Sequence, residues 1–154
     1  MPKNLIFTDK EAAFLKELIK NEVPFMIVGL SAAALQGAPV VTQDIDLWFK
    51  DITDPKIKRA LNKVGGSYIP PIMLNPPMFV GENVRLFDIV LTMHGLGEFD
   101  EEIGKSVEVL LGKLRVKVLP LEQISKSKKA INQQKDKLTI PVLEDALLAI
   151  RSKK

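Results

Sequence analysis

Two aspartates separated by one isoleucine, Asp44 and Asp46 in the run QDIDLWF, are the residues of this chain best placed to do chemistry. On a strand, alternation sends both carboxylates to one face and Ile45 and Leu47 to the other, with the two Cα atoms about 7 Å apart. Like charges held that close cost free energy unless a cation neutralises them. Mg²⁺ typically takes one or two carboxylates together with substrate phosphates. The pair therefore points to phosphoryl or nucleotidyl transfer. Aspartate is also depleted in strands. A strand with a solvated face is the structural alternative.

Two further features bear on the same chemistry. The segment VGLS ends an apolar run at Gly29 and opens a short helix near Ser31. A glycine there lets backbone N–H groups approach an anion, and a helix start adds unpaired N–H groups. Ser31 offers a hydroxyl to a phosphate oxygen, or simply caps the helix. Asp88 lies in the apolar run VRLFDIVL. A charge buried there is costly unless a metal or a positioned hydroxyl accounts for it. A strand end or a solvent-facing position is the alternative.

Other chemistries fit less well. His94 is the single histidine and falls in a loop, and nothing places Ser31 beside it for nucleophilic catalysis. As glycosidase acids, Asp44 and Asp46 would face one side of a sugar rather than flank it. Trp48 shares their face and either packs or lines a base pocket. The late basic residues, Lys113, Arg115, Lys117, Lys126, Lys128, Lys129, Lys135 and Lys137, form a solvated face or a polyanion contact.

The elements that must position these groups are readable. Thr8 and Glu11 suggest a capping box for a helix ending near Asn21, and Pro24 breaks it. Phe25 to Gly29 reads as a buried strand, Leu30 to Gln36 as a short helix closed by Gly37, and Thr42 to Phe49 as the strand of the aspartates. Asp54 caps a helix with Pro55 at its first position, and Gly65-Gly66 stops it. The proline-dense Ser67 to Pro77 reads as a loop. Met78 to Val80 and Val84 to Met93 read as a hairpin around Gly81-Glu82-Asn83. Ser106 to Leu111 and Leu114 to Leu119 form another, around a II′ turn at Gly112-Lys113. Helices follow over Leu121 to Ile131 and, after Pro141, over Val142 to Ile150. The pattern is not a regular βαβ alternation. It predicts an α+β fold with a mixed β-sheet flanked by helices.

With 154 residues and no linker, one domain over 1–154 is expected, with the C-terminal helices 120–152 packed on it. The chain has no cysteine, which excludes a disulfide framework and thiolate zinc sites. The first residues form no secretory signal, and no apolar run reaches the ~20 residues of a spanning helix. No membrane contact and a cytoplasmic location are the expectation. The net charge of +3 is mild, and the scarcity of aromatics argues against a stacking platform for single-stranded nucleic acid.

VGLSAAALQGAPVVTQDIDLWF followed by FDIVL resembles the nucleotidyltransferase superfamily of the DNA polymerase beta type. That family carries glycine and serine at a helix start, Asp-x-Asp on a strand, and a third aspartate on a neighbouring strand. Gly29 and Ser31 match with Leu30 between them, and Asp44, Asp46 and Asp88 match the triad. Thr42, two residues before the pair, and the late Ser127-Lys128 and Lys135-Asp136 resemble small prokaryotic members similar to the nucleotidyltransferase toxins of toxin–antitoxin pairs. Many relatives have an arginine just before that threonine, where Val40-Val41 stand here; Arg85 is a candidate substitute. The resemblance implies catalysis and metal binding by Asp44, Asp46 and Asp88, with Mg²⁺ or Mn²⁺ as cofactor. It implies substrate contacts from Gly29, Ser31, Thr42 and Lys128. It also implies an NTP donor, a hydroxyl acceptor on a protein, a tRNA or a small molecule, and a cognate antitoxin as a partner. Alternatives are an inactive nucleotide- or partner-binding module on the same fold and an RNA-binding domain using the late lysines.

Overall fold

In a computed structural model, residues 9–131 and 136–152 are described. Helix α1 (Asp9–Lys20) leads into strand β1 (Phe25–Val28), and helix α2 (Gly29–Leu35) follows directly. Strand β2 (Ile45–Phe49), helix α3 (Pro55–Lys63) and two short strands, β3 (Ser67–Ile69) and β4 (Met78–Val80), come next. Strand β5 (Phe87–Val90), helix α4 (Phe99–Glu102) with a 3₁₀ turn over Ile103–Lys105, strands β6 (Val107–Leu111) and β7 (Leu114–Val118), and helices α5 (Leu121–Ile131) and α6 (Asp136–Ser152) complete the order.

Five strands form one sheet in the order β5-β2-β1-β7-β6. It is mixed: β1 runs antiparallel to β2 and parallel to β7, while β2 and β5 are parallel. The expected mixed sheet flanked by helices is the observed fold class. Alternation along β2 divides the molecule. Ile45, Leu47 and Phe49 enter a core containing Phe14 of α1, Phe79 of β4 and Phe87 of β5. There Phe14 packs edge-on against Phe79 and Phe87, with ring centroids 5.3 and 5.1 Å apart. Asp46 and Trp48 face the other side, toward α2, α4 and α5.

Several local expectations hold. Asp54 accepts from the Lys56 N–H, with Pro55 opening α3. The β6–β7 hairpin turns on Gly112 at φ +64, with no positive φ at Lys113, as a II′ turn requires.

Others are corrected. Strand β2 starts at Ile45, so Thr42 and Asp44 lie in the chain entering it. The proline-dense stretch is not all loop, because β3 pairs antiparallel with β4 as a separate two-stranded ribbon. The hairpin expected from Met78 to Met93 therefore does not form. The chain turns over residues 81–86, buries Val84, and delivers β5 to β2 instead. Helix α6 runs through Pro141, and Leu143 on it is fully buried. Packing of that apolar face outweighs the hydrogen bond lost at proline. Thr8, Lys135 and the side chains of Glu11, Asp136 and Lys137 lie outside what is described, and with them the capping box and the late Lys-Asp motif.

Candidate active site

Strand pairing brings the acids together. Asp46 stands opposite Asp88 in the parallel register of β2 and β5, and opposite Val28 across β1. Neighbouring strands lie about 4.8 Å apart, so register partners present their side chains side by side on one face. Asp44 joins from the chain before β2, where the Ile45 N–H donates to Leu86 O at 2.7 Å and fastens this entry to the approach of β5.

Electrostatics registers the crowding. Burial first, then the charges of Asp88 and Asp44, push the half-buried Asp46 carboxyl from its ordinary 3.8 to about 6, and Lys128 pulls the other way. Burial and then Asp44 also raise Asp88. Asp88 is nevertheless exposed on the edge strand, so it is not the enclosed charge its apolar neighbours suggest. Alternation buries Phe87 and opens Asp88 to solvent.

Gly29 belongs to this cluster. Its φ is +67, a left-handed conformation that favours glycine, and a Cβ there would collide with Asp46 Oδ2. Val28 before it gives α2 no side-chain cap. Ser31 has a different duty from the one its position suggests. It is fully buried, its hydroxyl donates to Val28 O at 2.8 Å, and it accepts from the Asp46 N–H at 3.1 Å. Its single proton is committed inward, so the residue ties the glycine turn to the aspartate strand rather than offering a hydroxyl outward. Thr42 likewise turns on its own chain: its hydroxyl donates to Asp44 O at 3.1 Å and accepts from the Asp44 N–H at 3.3 Å. This holds the backbone of Asp44.

Helix α5 closes the other side. A cavity of about 160 Å³ is lined by Gly29, Asp46, Thr92, His94, Ser127 and Lys128, among others. Lys128 is thus the late lysine that meets the acids. Of the other late basic residues, Arg115 pairs with Glu108 at 3.9 Å and Lys129 pairs with Glu144. His94 is exposed but borders the cavity, more than a lone loop histidine announces. Trp48 is packed, edge-on to Phe99 at 5.7 Å, with its indole N–H donated to Leu91 O at 3.2 Å. Arg85 lines a separate cleft with Asp88, away from the Gly29 turn.

One positioning residue gave no sequence signal beyond a run of acids. Glu102 of α4 is 1 % exposed and accepts from Gln123 Nε2 of α5, from the Gly97 N–H and from Lys105 Nζ. Burial pushes its carboxyl up, but these hydrogen bonds and the Lys105 charge outweigh it and hold it below its ordinary value. The contact anchors the first turns of the helix that carries Lys128.

The donor set is all carboxylate oxygen, which suits a hard cation such as Mg²⁺ or Mn²⁺. The burial and mutual repulsion that raise Asp46 are what such an ion would offset, and the space over Asp46 is what a Cβ at residue 29 would fill. Among the described residues, no three acid, cysteine or histidine side chains are already closed around a common point.

The chain has the fold of solved nucleotidyltransferases. It superposes on the crystal structure of ANT(2″)-Ia in complex with adenylyl-2″-tobramycin, with a TM-score of 0.58 and 15% identity over 92% of this chain and 95% of that one. It is similar also to the solution structure of the antibiotic-resistance factor ANT(2″)-Ia, with a TM-score of 0.56 and 15% identity over 94% and 90% of the two chains. No protein-family model and no curated protein sequence matches it. Among the described residues, no helix is long and apolar enough to cross a membrane.

Proposed function

We propose that this chain is a metal-dependent nucleotidyltransferase that moves an NMP from an NTP to a hydroxyl acceptor. The observation that carries this reading is the register pairing of Asp46 with Asp88, joined by Asp44, beside a glycine whose missing Cβ leaves Asp46 accessible. The structural neighbours support it: one was solved with an adenylylated alcohol, adenylyl-2″-tobramycin.

In this reading Asp44, Asp46 and Asp88 would hold Mg²⁺ or Mn²⁺, which would supply positive charge to offset the negative charge of the transfer. The Gly29 turn gives the triphosphate room against β2. Lys128, across the cavity, meets a phosphate as a point charge. Asp88, exposed on the edge strand, receives the acceptor's proton. Ser31 and Thr42 act through the backbone: one fixes Asp46 against the glycine turn and the other fixes Asp44. The reading takes 1–154 as one domain with a cytoplasmic location. Neither structural neighbour is described as half of a toxin–antitoxin pair, so a cognate antitoxin rests on sequence motifs alone.

A second reading, a nucleotide- or partner-binding module without chemistry, draws on the inward commitment of the Ser31 and Thr42 hydroxyls. One experiment separates the two. The protein is incubated with each α-labelled NTP, Mg²⁺ or Mn²⁺, and total cell extract. A labelled product that disappears in Asp44→Asn supports transfer. Nucleotide binding with no labelled product supports the module. The same product from Asp44→Asn contradicts the assignment.

A further inference from the structure

Asp88, the register partner of Asp46, lines a cleft of about 500 Å³ between the β3–β4 ribbon and edge strand β5, a volume within the range of small-molecule sites. Pro70, Pro77, Met78 and Phe79 wall it on the ribbon side, and Phe87 and Ile89 on the strand side. The lining includes two charged residues, Asp88 and Arg85. Arg85 is exposed and, among the described residues, forms no ion pair. Beyond the cleft the ribbon tip remains apolar, with Met73 98% and Leu74 100% exposed.

We propose that this cleft seats the acceptor, and that the acceptor is an amphipathic hydroxy acid. Its apolar body lies along the ribbon, its anionic group meets Arg85, and its hydroxyl reaches Asp88. The proposal rests on the nucleotidyl-transfer reading and names its substrate class. The lining decides the class by charge. An apolar body recovers about 25 cal/mol for each Å² it removes from water. The exposed guanidinium of Arg85, the one basic group of this mostly apolar cleft, favours one carboxylate or phosphate. A polycation such as tobramycin would need several carboxylates to replace its hydration, and it would meet one acid and one repelling arginine.

The transfer balances with no further reactant. The acceptor oxygen bonds to the α-phosphorus of the NTP, and the bond from that phosphorus to the bridging oxygen breaks. Pyrophosphate leaves with the electron pair. The hydroxyl proton is released to solvent.

The test uses the full chain and two monoanionic probes without nucleotide or cation. Anilinonaphthalene sulfonate reports occupancy by fluorescence, and ω-hydroxydodecanoate competes with it. Saturable binding is expected, with displacement by the hydroxy acid, no displacement by tobramycin, and weakening on the order of tenfold in Arg85→Glu and in Met78→Glu. Both substituted positions are exposed, and circular dichroism verifies their folding. Lack of saturable binding, displacement by tobramycin, or unchanged affinity in both variants overturns the proposal. So does label passing from NTP to another acceptor while cleft-bound ω-hydroxydodecanoate stays unlabelled. Absence of any label transfer, with NTP binding indifferent to Asp44→Asn, sinks the nucleotidyl-transfer reading itself. The cleft measurement stands apart from that outcome because it uses no NTP.

Discussion

The two faces of strand β2 differ in what they do with the same backbone. On one, Ile45, Leu47 and Phe49 disappear into a core of interlocking rings around Phe14. On the other, Asp46 is gathered with Asp44 and Asp88, and burial together with their charges raises its carboxyl against the pull of Lys128. The first face stabilises the fold by burial. The second spends part of that stability on clustered negative charge, which the proposed reading assigns to a cation and a triphosphate. Strain kept at a site and offset elsewhere is common at functional sites. Here one alternating strand separates the two duties.

Substitutions on each face break the comparison in opposite directions. The largest expected effect is Asp46→Asn, which lowers nucleotidyl transfer on the order of 10³-fold or more, measured with α-labelled NTP. The same change stabilises the protein without metal. An acid whose carboxyl is raised in the fold binds protons more tightly there than in the unfolded chain, so stability falls as pH rises from about 4 through about 6. Elevation from 3.8 to about 6 corresponds to about 2–3 kcal/mol at neutral pH, which the amide relieves.

Phe14→Ala lies on the other face. It costs about 3–5 kcal/mol by urea unfolding, and the folded fraction keeps its nucleotide affinity. Gly29→Ala joins the two effects. The left-handed φ of +67 costs roughly 1–2 kcal/mol in stability, and the new methyl meets Asp46 Oδ2, so triphosphate affinity measured by calorimetry falls as well.

Glu102→Gln has the smallest expected effect on transfer and acts on stability, costing about 1–3 kcal/mol at neutral pH from weakened hydrogen bonds at a buried carboxylate. Its pH dependence runs opposite to that of Asp46. The carboxyl is held below its ordinary 4.5, so its contribution is complete above that value and is lost as pH falls through the lower folded value. Chemical denaturation at pH 7 and pH 3 is expected to show the gap between wild type and variant closing at the acid end.

Much of this contrast was legible in the chain. The alternation in QDIDLWF already sets Asp46 apart from Ile45 and Leu47, and the fold class follows from the order of elements. Asp88 was legible as a candidate but not in its setting. Apolar neighbours suggest enclosure, whereas an edge strand buries Phe87 and exposes the next residue. Strand β3 was hidden because the prolines that follow it suppress strand signals, while Tyr68 and Phe79 still face each other across the ribbon. Nearness in sequence favours a hairpin of β4 with β5, but β4 pairs with β3 and β5 pairs with β2. Ser31 and Thr42 show a different limit. A hydroxyl at the right position in a motif does not reveal whether it points to a ligand or to its own backbone.

The most direct test of the central claim is a pair of melting temperatures for wild type and Asp46→Asn, taken at pH 7 in chelator and again with Mg²⁺ and an NTP. The charge-cluster account predicts that the asparagine variant melts higher in chelator, and that wild type gains on adding Mg²⁺ and NTP while the variant does not. An asparagine variant that melts lower in chelator, or that gains as much as wild type from Mg²⁺ and NTP, would contradict it.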